Sequence, residues 1–164
     1  MISAVCHAHY STFARIHHAS RAELPEIRSF AAGLGQPAFK FDWAAALSDP
    51  HVEVILAFEG SILTGVIAAA VEPSRATARL LWIGVSPSAR RRGIGRLLLD
   101  CYADAARVRG AEWISASDAE PSVAALLLAM GGRWQVGNLV ISTRQGSAAW
   151  SPPRGLSAAR GDSP

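Results

Sequence analysis

A short segment near the middle of the chain constrains the fold more than any other. It joins an apolar, strand-like run to a helical pattern through a proline, three arginines and two glycines: residues 81–85, Pro87, residues 90–92, Gly93 and Gly95. Amides at a helix start have no partner within the helix, and the helix dipole adds positive potential there. The segment therefore predicts a cradle for a phosphate or diphosphate.

Two other phosphate-binding loops are excluded by the same residues. The dinucleotide loop needs a third glycine where this chain has Leu98, and the nucleotide-triphosphate loop needs a lysine, whereas the only lysine is Lys40. What remains is Arg90-x-x-Gly93-x-Gly95 after a strand. An arginine-rich helix start without a ligand stays open as the alternative.

Composition limits the class of protein. The chain has 164 residues, of which 50% are hydrophobic and 18% charged, which is typical of one globular domain. It has no apolar run long enough to span a bilayer and no signal-peptide pattern at its N-terminus. The two cysteines, Cys6 and Cys101, lie far apart, which favours reduced thiols. We expect a cytoplasmic protein without a membrane partner.

The net charge of +3 raises the question of nucleic acid. The only dense basic cluster is residues 90–92, which is narrower than a nucleic-acid patch and is not interleaved with aromatic residues. A small polyphosphate is therefore favoured, and a nucleic-acid binder is kept as an alternative. The histidines near Cys6 match no metal-site spacing, so we expect no metal.

Periodicity and turn signals predict one domain of mixed α/β type. We expect a leader at residues 1–11, the domain at residues 12–143 and a flexible Gly/Pro/Ser-rich tail at residues 144–164. The predicted elements are a strand at 13–18, a capping box at 20–23, a helix ending near Gly33, a short helix capped by Asp42, strands at 52–58, 62–71 and 77–85, a helix at 93–109, a strand at 113–117, a helix from Pro121 to Met130, and a hairpin at 134–143 around Gly137 and Asn138.

The phosphate loop and this element order resemble the GNAT family of N-acetyltransferases over residues 12–143. A supporting match is the segment at residues 126–131. The resemblance implies an α+β fold with a mixed, mostly antiparallel central sheet flanked by helices on both faces. It also implies transfer of an acetyl group from acetyl-CoA to a primary amine of a small molecule or peptide.

The resemblance implies roles for individual residues. Backbone groups of Ile83 and Val85 would pair with the pantetheine arm, and amides from Arg91 to Arg96 would hold the diphosphate. Ser122 or Glu120 lies where the family often has a cofactor-contacting asparagine, although Glu120 is equally an N-cap candidate. The implied cofactor-binding residues are Ile83, Val85, Arg90, Arg91, Arg92, Gly93, Ile94, Gly95, Arg96 and Ser122.

The chain departs from the family at the general acid. The family often has a tyrosine where this chain has Leu127, and Tyr102 is expected to pack on the long helix. A general base is needed, because an amine with a pKa near ~10.4 is almost fully protonated at pH 7. The candidates are Glu72, Asp118 and Glu120.

The acceptor is less constrained by the sequence. Phe39, Phe41 and Trp43 are candidates to line its pocket or, equally, to cover the core. No acidic cluster lies there, so a polyamine is not favoured. A homodimer is left open. The alternative function is a GNAT-like domain that binds acyl-CoA as a sensor or partner domain with little or no transfer.

Overall fold

The computed structural model describes residues 14–35, 41–72, 74 and 76–144. The predicted leader, and the predicted tail beyond Arg144, lie outside this part. The described elements are β1 (Arg15–His18), α1 (Leu24–Gly33), α2 (Trp43–Ala46), β2 (Val52–Glu59), β3 (Ile62–Glu72), β4 (Thr77–Val85), α3 (Ile94–Val108), β5 (Trp113–Ser117), α4 (Pro121–Ala129), β6 (Arg133–Gln135) and β7 (Asn138–Ser142).

The strands form a single sheet with the order β1-β2-β3-β4-β5-β7-β6. Every neighbouring pair is antiparallel except β4 and β5, which run parallel. This confirms the predicted mixed, mostly antiparallel sheet. The parallel pair requires a crossover, which α3 supplies.

Helices cover both faces of the sheet, as predicted. Residues of β2 alternate between two cores: Ile55 and Ala57 belong to the core that includes α3, whereas Leu56 and Phe58 belong to the core with α1 and α2. Both sets are buried, so β2 is apolar along most of its length. The sheet is therefore the central layer of three.

Two helix starts are set by local side-chain bonds. Ser20 and Glu23 form the predicted capping box before α1, and Oδ1 of Asp42 accepts the backbone N–H of Ala45 at 3.0 Å at the start of α2. Each bond satisfies an amide that has no partner within its helix. Both caps confirm the sequence prediction.

The final hairpin differs from its prediction in the position of the turn. The final hairpin turns at Val136 and Gly137, since Gln135 pairs with Asn138. Val136 has φ of 45°, a conformation that β-branched residues rarely adopt, so a valine does not predict a turn at this position.

No helix within the described residues is both long and apolar enough to cross a membrane.

Candidate cofactor and acceptor site

The parallel strands β4 and β5 pair only at their beginnings. The last matched pair is Arg79 with Ser115, and beyond it the two strands diverge. Just after Arg79, a β-bulge at Leu81 shifts the register of β4 on β3. The edge of β4 that faces β5 is thereby open to a ligand that pairs like an added strand.

The loop after β4 has a backbone conformation suited to an anion. Arg91 has φ of 61° and Gly93 has φ of 87°, so two left-handed residues stand within three positions before α3 begins at Ile94. Left-handed residues placed among other conformations turn successive amides toward one concavity, which attracts anions. The free amides of the first turn of α3 face the same region.

The two loop glycines serve different purposes. A Cβ on Gly93 would meet no atom within 4 Å, so its left-handed φ is what requires glycine. A Cβ on Gly95 would approach Leu126 Cδ2 to 3.1 Å and Val85 Cγ2 to 3.6 Å. Gly95 therefore allows the start of α3 to lie close to α4 and β4.

A cavity of about 650 Å³, here called the cofactor cavity, joins the end of β4, the loop and α4. It brings together nine of the ten predicted cofactor-binding residues. These are Ile83, Val85, Arg90, Arg91, Gly93, Ile94, Gly95, Arg96 and Ser122. Within it, Nε of the exposed Arg90 side chain donates to the Val85 carbonyl at 3.2 Å.

Arg92 is the exception among the predicted residues. Its Nη1 donates to Oε2 of Glu59 at 2.9 Å, and Arg92 does not line the cavity. The carboxylate at the end of β2 draws the guanidinium toward the β2–β3 turn. Arg92 therefore ties the loop to the sheet, and the predicted cofactor contact of its side chain stays a prediction.

A second cavity of about 150 Å³, here called the fork cavity, lies where β4 and β5 separate. It shares Ile83 and Val123 with the cofactor cavity. Its lining residues are Leu80, Leu81, Trp82, Ile83, Ala116, Ser117, Asp118, Ala119, Glu120 and Val123. Two of the three predicted catalytic carboxylates, Asp118 and Glu120, therefore lie next to the cofactor cavity.

Glu72 lies elsewhere. It pairs with Thr77 at the start of β4, whereas Gly65 pairs with Val85 at the end. Seven residues of strand separate the two positions, or about 23 Å at ~3.3 Å per residue. The structure thus separates Glu72 from the cofactor cavity.

The hydroxyl of Tyr102 is not placed for proton transfer. Tyr102 is fully buried on α3, and its hydroxyl has no hydrogen-bond partner among the described residues. Burial, together with the charge of Glu53, raises the pKa of the phenol well above its ordinary value. Leu127, at the position of the family tyrosine, is buried as well.

The aromatic candidates for the acceptor pocket have mainly structural roles. Trp43 is 2% exposed and lies edge-on to Trp82, with ring centroids 5.0 Å apart. Phe41 packs on Trp43 at 4.6 Å, and Phe39 lies outside the described residues. Trp82, which the sequence did not single out, is the aromatic residue that lines the fork cavity.

Two further glycines shape the site and were also missed. A Cβ on Gly65 would come within 2.8 Å of Ile94 Cγ2, and one on Gly84 within 2.3 Å of Trp82 Cη2 and 2.6 Å of Leu34 Cδ1. Gly65 therefore lets the first turn of α3 rest on β3, and Gly84 lets α1 approach β4. A glycine inside an apolar strand is the signal that indicates such close approaches.

Within the described ranges, no group of three or more His, Cys, Asp or Glu side chains is placed to hold a metal ion. The left-handed loop at the start of α3 and the separated strands β4 and β5 lie side by side in this fold. The acetyltransferase (GNAT) family profile matches residues 14–131, which is most of the chain. The protein belongs to the GNAT acetyltransferase family, whose members use acetyl-CoA.

Solved structures share this fold at low sequence identity. A GNAT-family acetyltransferase from Staphylococcus aureus has a TM-score of 0.67 and 16% identity, over 79% of this chain and 99% of that one. The ribosomal-protein-S18-alanine N-acetyltransferase of Escherichia coli has a TM-score of 0.62 and 18% identity, over 79% and 94%. A Salmonella typhimurium protein solved with its cofactor acetyl-CoA has a TM-score of 0.60 and 16% identity, over 79% and 94%. No curated protein sequence matches the chain significantly.

Proposed function

We propose that this protein transfers the acetyl group of acetyl-CoA to a primary amine of a small molecule or peptide. The observation that carries the proposal is the junction of two cavities at Ile83 and Val123. One cavity has an anion cradle and an open strand edge, and the other has two carboxylates. A donor and an amine placed in them meet at the shared wall.

The cofactor cavity has a candidate binding group for the diphosphate and for the pantetheine arm of acetyl-CoA. Amides from Arg91 to Arg96 would hold the diphosphate, with Arg90, Arg91 and Arg96 adding positive charge. Backbone groups of Ile83 and Val85 would pair with the pantetheine arm, and Ser122 lies beside it. When bound, acetyl-CoA supplies the activated acyl group.

The chain itself supplies proton transfer and charge stabilisation. Asp118 or Glu120 accepts the proton of the acceptor ammonium, directly or through a water molecule, and leaves a neutral nucleophile. A backbone N–H near Val85 stabilises the oxyanion that develops on the thioester carbonyl. Because Leu127 has no proton to give, the leaving thiolate takes a proton from water.

A second candidate function follows from Leu127 and the buried hydroxyl of Tyr102. Without a general acid from these two positions, the domain would bind acyl-CoA as a sensor or partner domain with little turnover. Calorimetric titration with acetyl-CoA and with CoA tests binding, and a thiol-release assay with a panel of amines tests transfer. Binding without thiol release favours the sensor, whereas absence of binding contradicts both functions.

We place this activity in the cytoplasm. The wide separation of Cys6 and Cys101 in the sequence, which favours reduced thiols, supports this location. The homodimer left open by the sequence stays a prediction, which sedimentation would test. That the protein binds neither nucleic acid nor membranes also stays a prediction. Salt-dependent binding of generic DNA would contradict the prediction about nucleic acid.

A further inference from the structure

The pairing of β4 with β3 shows which backbone groups of β4 face its open edge. The Ser86 N–H donates to the Thr64 carbonyl at 2.8 Å. These two residues lie opposite each other, one position beyond the pair Gly65–Val85. Hydrogen-bonded and non-hydrogen-bonded pairs alternate along an antiparallel ladder. The N–H and C=O of Val85 therefore point away from β3, toward the open edge, as do those of Ile83 two residues earlier.

One of these edge groups, the Val85 carbonyl, has a side-chain donor in the structure. Nε of Arg90 donates to it at 3.2 Å from the loop that follows β4. Both residues line the cofactor cavity, so the contact lies inside the proposed binding site. The Arg90 side chain is exposed, and its hydrogen bond competes with water. The bond is therefore one that a stronger acceptor can replace.

Arg90 differs from two other arginines near the start of α3 in its partner. Arg92 donates to the Glu59 carboxylate, and Nε of Arg96 lies 3.8 Å from a carboxylate oxygen of Asp100. Arg90 contacts a neutral carbonyl instead, and none of the described residues that line the cofactor cavity is acidic. A phosphate carries a negative charge and accepts two parallel hydrogen bonds from a guanidinium. A diphosphate on the loop is therefore a better partner for this guanidinium than the carbonyl.

We propose that Arg90 determines cofactor specificity by coupling the open edge of β4 to phosphate binding. This inference rests on the proposed function. Without a phosphate on the loop, the guanidinium holds the Val85 carbonyl, which an amide N–H of a pantetheine arm would otherwise use. The guanidinium moves from the carbonyl to a diphosphate bound at the loop, and the carbonyl is then free for the arm. The site thereby selects thioesters of CoA over pantetheine thioesters that carry no phosphate.

CoA and pantetheine are matched ligands for the test, because both have the arm and the free thiol and only CoA has phosphates. Arg90→Ala should raise the Kd for CoA by about fivefold or more, since it removes a charged partner of the phosphates. The same variant should lower the Kd for pantetheine by at least about twofold, since the Val85 carbonyl loses its competing donor. Calorimetry measures CoA binding, and an NMR titration that follows the Ile83 and Val85 backbone amides measures the weaker binding of pantetheine.

Arg91→Ala is the matched control. Arg91 is the next residue of the loop and lines the same cavity, whereas the hydrogen bond to Val85 belongs to Arg90. The control should raise the Kd for CoA and leave the Kd for pantetheine unchanged. Opposite changes for the two ligands are thus expected of Arg90→Ala alone. An Arg90 that only added charge would leave pantetheine binding unchanged, and one that only stabilised the loop would weaken the binding of both ligands.

The outcomes separate this proposal from the proposed function. Absence of CoA and acetyl-CoA binding to the wild type contradicts the proposed function itself. If CoA binds, an unchanged or higher Kd for pantetheine in Arg90→Ala overturns the coupling and leaves acetyl transfer intact. Absence of pantetheine binding to Arg90→Ala overturns it as well. A Kd for CoA that does not rise in Arg90→Ala also overturns it, since the guanidinium would then have no phosphate as its second partner.

Discussion

Two glycines at opposite ends of α3 allow the cofactor site to be tested separately from the stability of the fold. Gly93 precedes the helix with φ of 87°, and Gly110 follows it with φ of 89°. A Cβ on either would meet no atom within 4 Å. Alanine at each position therefore brings the same backbone strain and no steric clash.

The magnitude follows from the left-handed backbone. A residue with a Cβ costs roughly 1–2 kcal/mol in this conformation, so Gly93→Ala and Gly110→Ala should each lower the free energy of unfolding by about that amount. In a domain of this size the loss lowers Tm by roughly 2–8 °C. Thermal unfolding of the two variants should therefore give similar shifts.

Their cofactor affinities should differ. Gly93 lines the cofactor cavity and Gly110 does not. A methyl group on Gly93 would move the diphosphate away from at least one amide, and a hydrogen bond to a charged group contributes about 1.5–3 kcal/mol. Calorimetry should give Gly93→Ala a Kd for acetyl-CoA at least about tenfold higher than that of Gly110→Ala. Equal affinities in the two variants would refute the assignment of the cradle.

Three further predictions concern neighbouring groups. Arg92→Ala should leave the Kd for acetyl-CoA within about threefold and lower the free energy of unfolding by up to about 1 kcal/mol, because the half-exposed Arg92 guanidinium pairs with Glu59. Arg91→Ala should raise the Kd by about fivefold or more, since Arg91 lines the cofactor cavity. A larger rise in Kd for Arg92→Ala than for Arg91→Ala in calorimetry would contradict both predictions. Tyr102→Phe should leave kcat unchanged and keep or raise stability by up to about 1 kcal/mol, since it removes a buried, unpaired hydroxyl; a large loss of kcat would make this tyrosine a proton donor. Partial burial raises the pKa of Glu23, but hydrogen bonds from the Ser20 amide and from the His17 and Ser20 side chains outweigh burial, so the net pKa lies below its ordinary value. The stabilising contribution of Glu23 is therefore present above the unfolded pKa and is lost as pH falls through the folded pKa. Glu23→Gln should flatten the acid limb of a curve of stability against pH, and an unchanged limb would contradict this prediction.

The parts of the fold that were predicted correctly have local signals. The sequence predicted β4 and β5 with their observed bounds, because turn residues flank both strands and their interiors are apolar. The loop between β4 and α3 was also predictable, since Arg90, Gly93 and Gly95 lie within six residues between a strand and a helix. In each case the residues that determine the structure are close in sequence.

The parts that were missed depend on distant residues. Glu59 is 33 positions before Arg92, so only the folded sheet brings the two side chains together. The separation of Glu72 from the site follows from the register of β3 on β4, which periodicity does not fix. The role of Trp82 in the fork cavity likewise depends on where β5 leaves β4.

The central claim is that acetyl-CoA lies along the open edge of β4 with its diphosphate on the loop before α3. Hydrogen exchange of backbone amides, measured with and without saturating acetyl-CoA, tests this location directly. We expect slower exchange at residues 83–85 and 91–96 in the complex, with β6 and β7 unchanged. Protection confined to other elements, or no protection while the cofactor is bound, would contradict it.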